Sequence, residues 1–196
     1  MEPILYTLLG VLLTLALFGL WRAKFSFAAQ QPEDYADRGP DFDIREQLNG
    51  PILCEGVIYG PTGRVTSRFV ADFEASWDGD TGVMREEFRY DSGTTQTREW
   101  RLTLDGAGRI RAEADDLVGA GSGRQTGASV LLNYRIRLTE DAGGHVLDVT
   151  DWMYLMENGA IINRSQFRKF GLPVAELVAT MRRKPDAKLA RLEAAE

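Results

Sequence analysis

The sequence predicts a mainly β fold, an eight-stranded up-and-down antiparallel barrel behind one transmembrane helix. Three observations lead there. Residues Ile4 to Leu20 carry no charged side chain, a length that crosses most of a bilayer core at about 1.5 Å per helical residue. From Val65 to Trp77, residues Val65, Phe69, Ala71, Phe73, Ala75 and Trp77 share one face while Arg68, Asp72 and Glu74 take the other, the period of a half-buried strand. Turn signals then recur at Asp91-Ser92-Gly93, Asp105-Gly106, Gly119 to Gly127, Asp141 to Gly144 and Asn158-Gly159.

The apolar run reads as an anchor. A secretory signal opens with positive charge, and here the only charged side chain before the run is Glu2, while Arg22 and Lys24 separate the run from the small residues Ser26-Phe27-Ala28. Leu, Val, Ile, Phe and Ala surround the helix on all sides, unlike the stripe of a soluble surface helix. Tyr6 and Trp21 stand near its ends, as interfacial aromatics do. Lys and Arg beside a span tend to remain cytoplasmic, so Arg22 and Lys24 direct the globular part inward. No cysteine sits in or just after the run to accept a lipid.

Residues 1–24 are thus the expected anchor and 25–40 a linker, since Pro32, Gly39 and Pro40 discourage regular structure. The linker gives the domain some reach. Residues 41–184 form one domain of comfortable size, and 185–196 a charged tail. The net charge is −6, and without the first 24 residues it becomes about −7, a poor match to nucleic acid. Cys54 alone and His145 alone exclude a disulfide framework and a paired-histidine metal site. No cofactor or metal is implied.

Within the domain, Asp41 to Leu48 makes a short helix stopped by Asn49-Gly50. Strands are expected near 52–59, 65–77, 83–90, 95–104, 109–118, 128–139, 145–156 and 160–170. Met84, Phe88 and Tyr90 align on one face, as do Trp100, Leu102 and Leu104, and then Val130, Leu132, Tyr134, Ile136 and Leu138. Closure of the meander removes exposed sheet edges. Strand 145–156 is apolar on both faces, with Leu147, Val149, Met153 and Leu155 against Val146, Trp152, Tyr154 and Met156, so its outer side needs a cover. The segment Leu172 to Arg183, with Val174, Leu177, Val178 and Met181 at helical spacing and Pro173 in the first turn, is expected to supply it as a helix packed outside the barrel. Gly119, Gly121, Gly123 and Gly127 read as a flexible mouth loop or a broken strand, without the strand-to-helix setting of a phosphate loop.

Asp41-Phe42-Asp43-Ile44-Arg45, Asn49-Gly50-Pro51, Asp115-Asp116 and above all Asp151-Trp152-Met153-Tyr154-Leu155-Met156, with Ile162-Asn163-Arg164-Ser165 and Lys169-Phe170-Gly171, resemble the bacterial DUF3833 family. The resemblance runs from about Tyr35 to Arg183. It implies a lipocalin-like barrel, often membrane-attached, with no established reaction, and places the chain in a bacterial inner membrane as a single-pass protein. Relatives with a lipoprotein signal imply a periplasmic domain as the alternative to the cytoplasmic one. Encoding of relatives near lipid-modifying enzymes points toward lipid.

The polar residues of interest are Glu86, Asp116, Asp148, Asp151, Asn163 and Arg164, which alternation can bring inside or to the mouth of an apolar barrel. Glu86 shares a face with Met84, Phe88 and Tyr90, where an ionised carboxylate is costly without a partner such as Arg164 or Arg98. Such a pair either grips the head of an amphipathic ligand or closes the barrel end as a structural ion pair. Trp77, Trp100 and Trp152 stack on a ligand or fill the core. The candidate ligand-binding set is Glu86, Arg98, Trp100, Asp116, Asp151, Trp152, Asn163 and Arg164. No catalytic set is recognisable. The function expected is a membrane-anchored barrel that binds or presents a lipid or other hydrophobic molecule. The alternatives are an assembly subunit with a filled barrel and a lipid-modifying enzyme working through Glu86 or Asp116.

Overall fold

The computed structural model describes residues 2–184, so the expected tail at 185–196 lies outside the described residues. Helix α1 (Glu2–Phe25) leads into two 3-10 turns (Phe27–Ala29 and Pro32–Tyr35) and the short helix α2 (Ile44–Gln47). Ten strands follow: β1 (Gly50–Tyr59), β2 (Val65–Asp78), β3 (Thr81–Tyr90), β4 (Thr95–Leu104), β5 (Arg109–Glu113), β6 (Gly121–Thr126), β7 (Ser129–Arg137), β8 (Val146–Leu155), β9 (Ile161–Lys169) and β10 (Leu172–Arg183). Each pairs antiparallel with its neighbours in sequence, and β10 returns to β1, closing the barrel.

The barrel therefore has ten strands where the sequence predicts eight, and both extra strands come from segments assigned otherwise. The predicted strand 109–118 ends at Glu113, and the glycine-rich stretch folds as β6. Glycine is placed there by crowding: a Cβ on Gly121 would sit 2.9 Å from the Tyr134 Cβ, so the large residues of β7 occupy the space that β6 leaves. The expected outer helix at 172–183 is instead β10, whose Cys54↔Met181 and Val57↔Val178 register seals the sheet. Leu177 and Met181, four apart, fit a helical stripe and a strand face equally. Ala179, buried between them, completes the strand alternation, and β-branched Val174, Val178 and Thr180 favour extended backbone. A helix here would have left the edges of β1 and β9 unpaired.

The inward faces are as the alternation requires. Phe69, Ala71, Phe73 and Ala75 from β2, Trp100, Leu102 and Leu104 from β4, and Val130, Leu132, Tyr134 and Ile136 from β7 are all buried in one core. One barrel end is plugged by α2: Asp43 caps it through Arg45 N–H, Ile44 is buried, and Trp77 Nε1 donates to the Leu48 carbonyl at 2.7 Å. The opposite end carries the connections 60–64, 91–94, 114–120, 138–145 and 170–171.

α1 is long and apolar enough to cross a membrane, and its apolar stretch is not buried against the barrel. Thr7 and Thr14 satisfy their hydroxyls on the carbonyls of Pro3 and Gly10 one turn earlier. Beyond it, the linker does not run free but forms a strap down the outer wall. Phe27 lies under the Arg164 guanidinium, 4.7 Å from ring centroid to Cζ. Tyr35 meets Trp152 and Tyr154 edge-on at 5.3 and 5.5 Å, and Gln30 Oε1 accepts hydrogen bonds from both Tyr35 and Tyr154 hydroxyls. Gly127, with φ +50°, lets the strap approach so closely that a Cβ there would strike the Tyr35 carbonyl. The outer face of β8 thus has the cover its apolar pattern demands, supplied by the N-terminal strap and not by a C-terminal helix.

Candidate functional site

Strand alternation gathers the polar candidates at mid-height inside the barrel. Glu86 on β3 and Arg98 on β4 are cross-strand partners. Arg98 donates from Nε and Nη2 to Asp116 Oδ2 at 2.9 and 2.5 Å, and its guanidinium lies 5.2 Å from the Trp100 ring centroid. Asp116 sits in the loop after β5, fixed where Arg137 N–H donates to its carbonyl at 2.8 Å and by the Leu117↔Ile136 bridge. Its second carboxylate oxygen, Oδ1, is buried without a hydrogen-bond partner among the described residues. Trp100 in turn meets Tyr134 edge-on at 5.3 Å.

A second polar group faces the same space from β8 and β9. Asp151 accepts from the Asn163 amide and, at 2.9 Å, from the Ser165 hydroxyl, while Asn163 Nδ2 also reaches the Trp152 carbonyl at 3.1 Å. Burial, which penalises the ionised form, raises the Asp151 pKa against the opposing hydrogen bonds. Burial likewise pushes the Glu86 carboxyl up to about 7, more than the nearby Arg98 charge pulls it down. The Tyr134 phenol is held above its ordinary range by burial and by Asp151. Three carboxyl groups thus surround a single guanidinium.

Glu86, Arg98, Trp100, Tyr134, Asp151, Asn163 and Ser165 line a cavity of about 210 Å³ whose remaining walls are mostly apolar, including Phe69, Phe73, Phe88 and Leu177, while Asp116 lines the neighbouring outer cleft. The cavity lies toward the barrel end opposite α2. A cleft of about 580 Å³ reaches Glu86 and Arg98 from outside. That cleft exists because β4 pairs with β5 only over Arg101 to Leu104, leaving the Thr95–Trp100 part of β4 without a partner on that side. Gln96, Ile136 and Leu138 border both spaces.

Of the eight candidates, Glu86, Arg98, Trp100, Asp116, Asp151 and Asn163 come together here. Trp152 and Arg164 do not. Both point outward from β8 and β9: Trp152 is buried beneath Tyr35, and Arg164 pairs with Glu176 at 3.0 Å beside Phe27. Glu86 therefore faces Arg98 and not Arg164. Asp148 is also on the outer wall, 3.4 Å from Arg135. Sequence reasoning passed over Ser165, Tyr134 and Gln96, although Ser165 and Tyr134 share the inward parity of Asn163 and Ile136. Cys54 lines the cavity as a buried thiol whose pKa burial raises. No cluster of three or more His, Cys, Asp or Glu among the described residues is arranged to hold a metal ion.

Two solved structures share this architecture. Rv2717c from M. tuberculosis superimposes with a TM-score of 0.53 at 16% identity, over 76% of this chain and 100% of its own. The S-type phycobiliprotein lyase CPES from Guillardia theta gives 0.55 at 8% identity, over 80% of this chain and 99% of its own. At such identities the likeness establishes the barrel fold alone. No curated protein matches the sequence. The family described as "Protein of unknown function (DUF3833)" matches residues 22–183. That match takes in the strap, α2 and all ten strands, and the chain belongs to the DUF3833 family.

Proposed function

We propose that this protein is a membrane-anchored barrel that binds a small amphipathic molecule, a lipid or other hydrophobic compound with a polar head. The observation that carries the reading is the divided cavity, with aromatic and aliphatic walls toward the open end and the Arg98, Glu86 and Asp151 groups at its floor. A few convergent polar groups in an apolar pocket are the usual composition of a small-molecule site. The likeness to a phycobiliprotein lyase is in keeping with a barrel of this class serving small molecules. At about 210 Å³ the inner space is smaller than the ~300–1,000 Å³ of common ligand pockets, so a long acyl chain extends beyond it, through the open end or the β4 cleft. Arg98 and a protonated Glu86 offer donors to the head.

Loop charge assigns the barrel to the cytoplasmic side through Arg22 and Lys24. A C-terminal reporter active only after export tests this, and activity of that reporter overturns it in favour of the periplasmic side.

The ligand reading is tested with the full-length chain purified in lipid nanodiscs, extracted with organic solvent and compared by mass spectrometry with Arg98→Met. A stoichiometric compound enriched over the nanodisc lipid and lost in R98M is the expected result. Identical extracts from both proteins overturn the reading in favour of a filled barrel that serves as a scaffold.

A further inference from the structure

The β9–β10 connection is a two-residue turn, Phe170-Gly171, between the register partners Lys169 and Leu172. Both turn residues have positive φ, 52° and 76°. Two-residue hairpins of this kind favour Asn-Gly or Gly-Gly, because a large side chain at positive φ is strained. Phe170 is the one non-glycine residue with positive φ among the described residues. It gains no burial in return: Phe170 is 92% exposed and Leu172 beside it 62%. An aromatic ring held in an unfavourable conformation and pointed away from its own domain calls for a contact outside it.

The position of the turn identifies that contact. Arg22, in the last turn of α1, donates from Nη2 to the Gly171 carbonyl at 2.5 Å, tying the hairpin tip to the end of the membrane helix. Trp21, one residue earlier, is an interfacial aromatic. Arg22, Arg168 and Lys169 bring positive charge to the tip, and the Lys169 ammonium lies 5.7 Å from the Phe170 ring centroid. Apolar side chains flanked by cations match the boundary between acyl chains and anionic headgroups.

We infer that the Phe170-Gly171 turn is a second membrane contact, in which Phe170 and Leu172 enter the headgroup boundary of the bilayer that α1 crosses. The inference rests on reading α1 as an anchor. With the strap fixing the barrel wall behind it, this contact turns the open end of the barrel toward the bilayer surface and sets the distance between cavity and lipid.

The test uses the full-length chain with Phe170→Cys, labelled with nitrobenzoxadiazole and reconstituted in phosphatidylcholine–phosphatidylglycerol vesicles with or without nitroxide-bearing lipid. Cys54 stays unlabelled because it is buried. Leu12→Cys, inside α1, and Asn158→Cys, in the turn at the α2 end, are labelled in parallel. Quenching at positions 170 and 12 at least several-fold above that at 158 is expected. Quenching at 12 with none at 170 overturns the inference and leaves the anchor intact; no quenching at 12 overturns the anchor and the inference with it. In a Leu172→Cys background, Phe170→Asn relieves the turn and is expected to reduce quenching at 172 by at least half. Undiminished quenching removes Phe170 from the contact and counts against the proposal.

Discussion

Glu86 and Arg98 stand directly opposite each other on the lumen face of β3 and β4, and the guanidinium gives its hydrogen bonds to Asp116 instead. Burial pushes the Glu86 carboxyl up to about 7, against the pull of the Arg98 charge and with the support of Asp151 and Asp116. The folded state then binds this proton over a range where the unfolded chain, near 4.5, has released it. Stability from this group is fully present below about pH 4.5 and is lost as pH rises through 7.

Between pH 5 and 8 the full chain should lose stability on the order of 2 kcal/mol by denaturant titration, and Glu86→Gln should remove most of that slope. The carboxylates with lowered pKa, such as Asp72 and Asp105, act in the opposite sense but titrate below this window. An unchanged slope in E86Q would assign the effect to another group.

The Arg98–Asp116 pair is mostly buried, with side chains 14% and 26% exposed. Removing the cation alone leaves Asp116, Asp151 and Glu86 without a compensating charge, so Arg98→Met should cost about 2–4 kcal/mol at pH 7.5. Lowering the pH to 5 should recover part of that loss, because Glu86 is then neutral. The double variant Arg98→Met/Asp116→Asn should be less destabilised than R98M. A double variant no more stable than R98M in denaturation would show that the pair is not energetically coupled.

Most of the barrel was legible because its strands show period-2 alternation with large inward residues, as in β2, β4 and β7. β6 was hidden because glycine carries no side chain to alternate. β10 was hidden because Leu177 and Met181 satisfy both periods, and only the closure requirement of β1 and β9 decides between them. The site was legible to the same depth. Parity places Glu86, Arg98 and Trp100 inward, whereas Arg164 was grouped with them for its chemistry, although it shares outward parity with Ile162 and Gln166. The need for a cover over β8 was readable from Trp152 and Tyr154. Its identity was not, since nothing in the polar segment 30–40 announces that Tyr35 packs there.

Tyr35 packs the strap against the aromatic pair Trp152 and Tyr154 on the wall. Tyr35→Ala removes the ring from Trp152 and Tyr154 and one partner of Gln30. A loss of about 2–4 kcal/mol is expected, in the range of large-to-small changes at packed sites. Limited proteolysis should then open new cleavage between 26 and 40 while the barrel fragment persists. Resistance equal to that of the original protein would mean that other contacts, such as Arg124–Glu33, hold the strap alone.

Gly121 offers the sharpest test of how β6 shapes the cavity. Its φ lies outside the left-handed region, so alanine meets no conformational penalty, and what opposes it is the 2.9 Å approach to the Tyr134 Cβ together with 3.2 Å to the Asn133 carbonyl oxygen. Gly121→Ala must push β6 from β7 or move the Tyr134 ring, which lines the cavity and packs on Trp100. Overpacking of this kind costs about 1–3 kcal/mol. The displaced ring should also perturb the near-ultraviolet circular dichroism of Trp100. The paired control is Gly106→Ala, in the exposed β4–β5 turn, where an added Cβ meets nothing within 4 Å. It should leave stability within about 0.5 kcal/mol of the original. Equal effects from the two substitutions would locate the cost in the loss of glycine as such, and not in the contacts with β7.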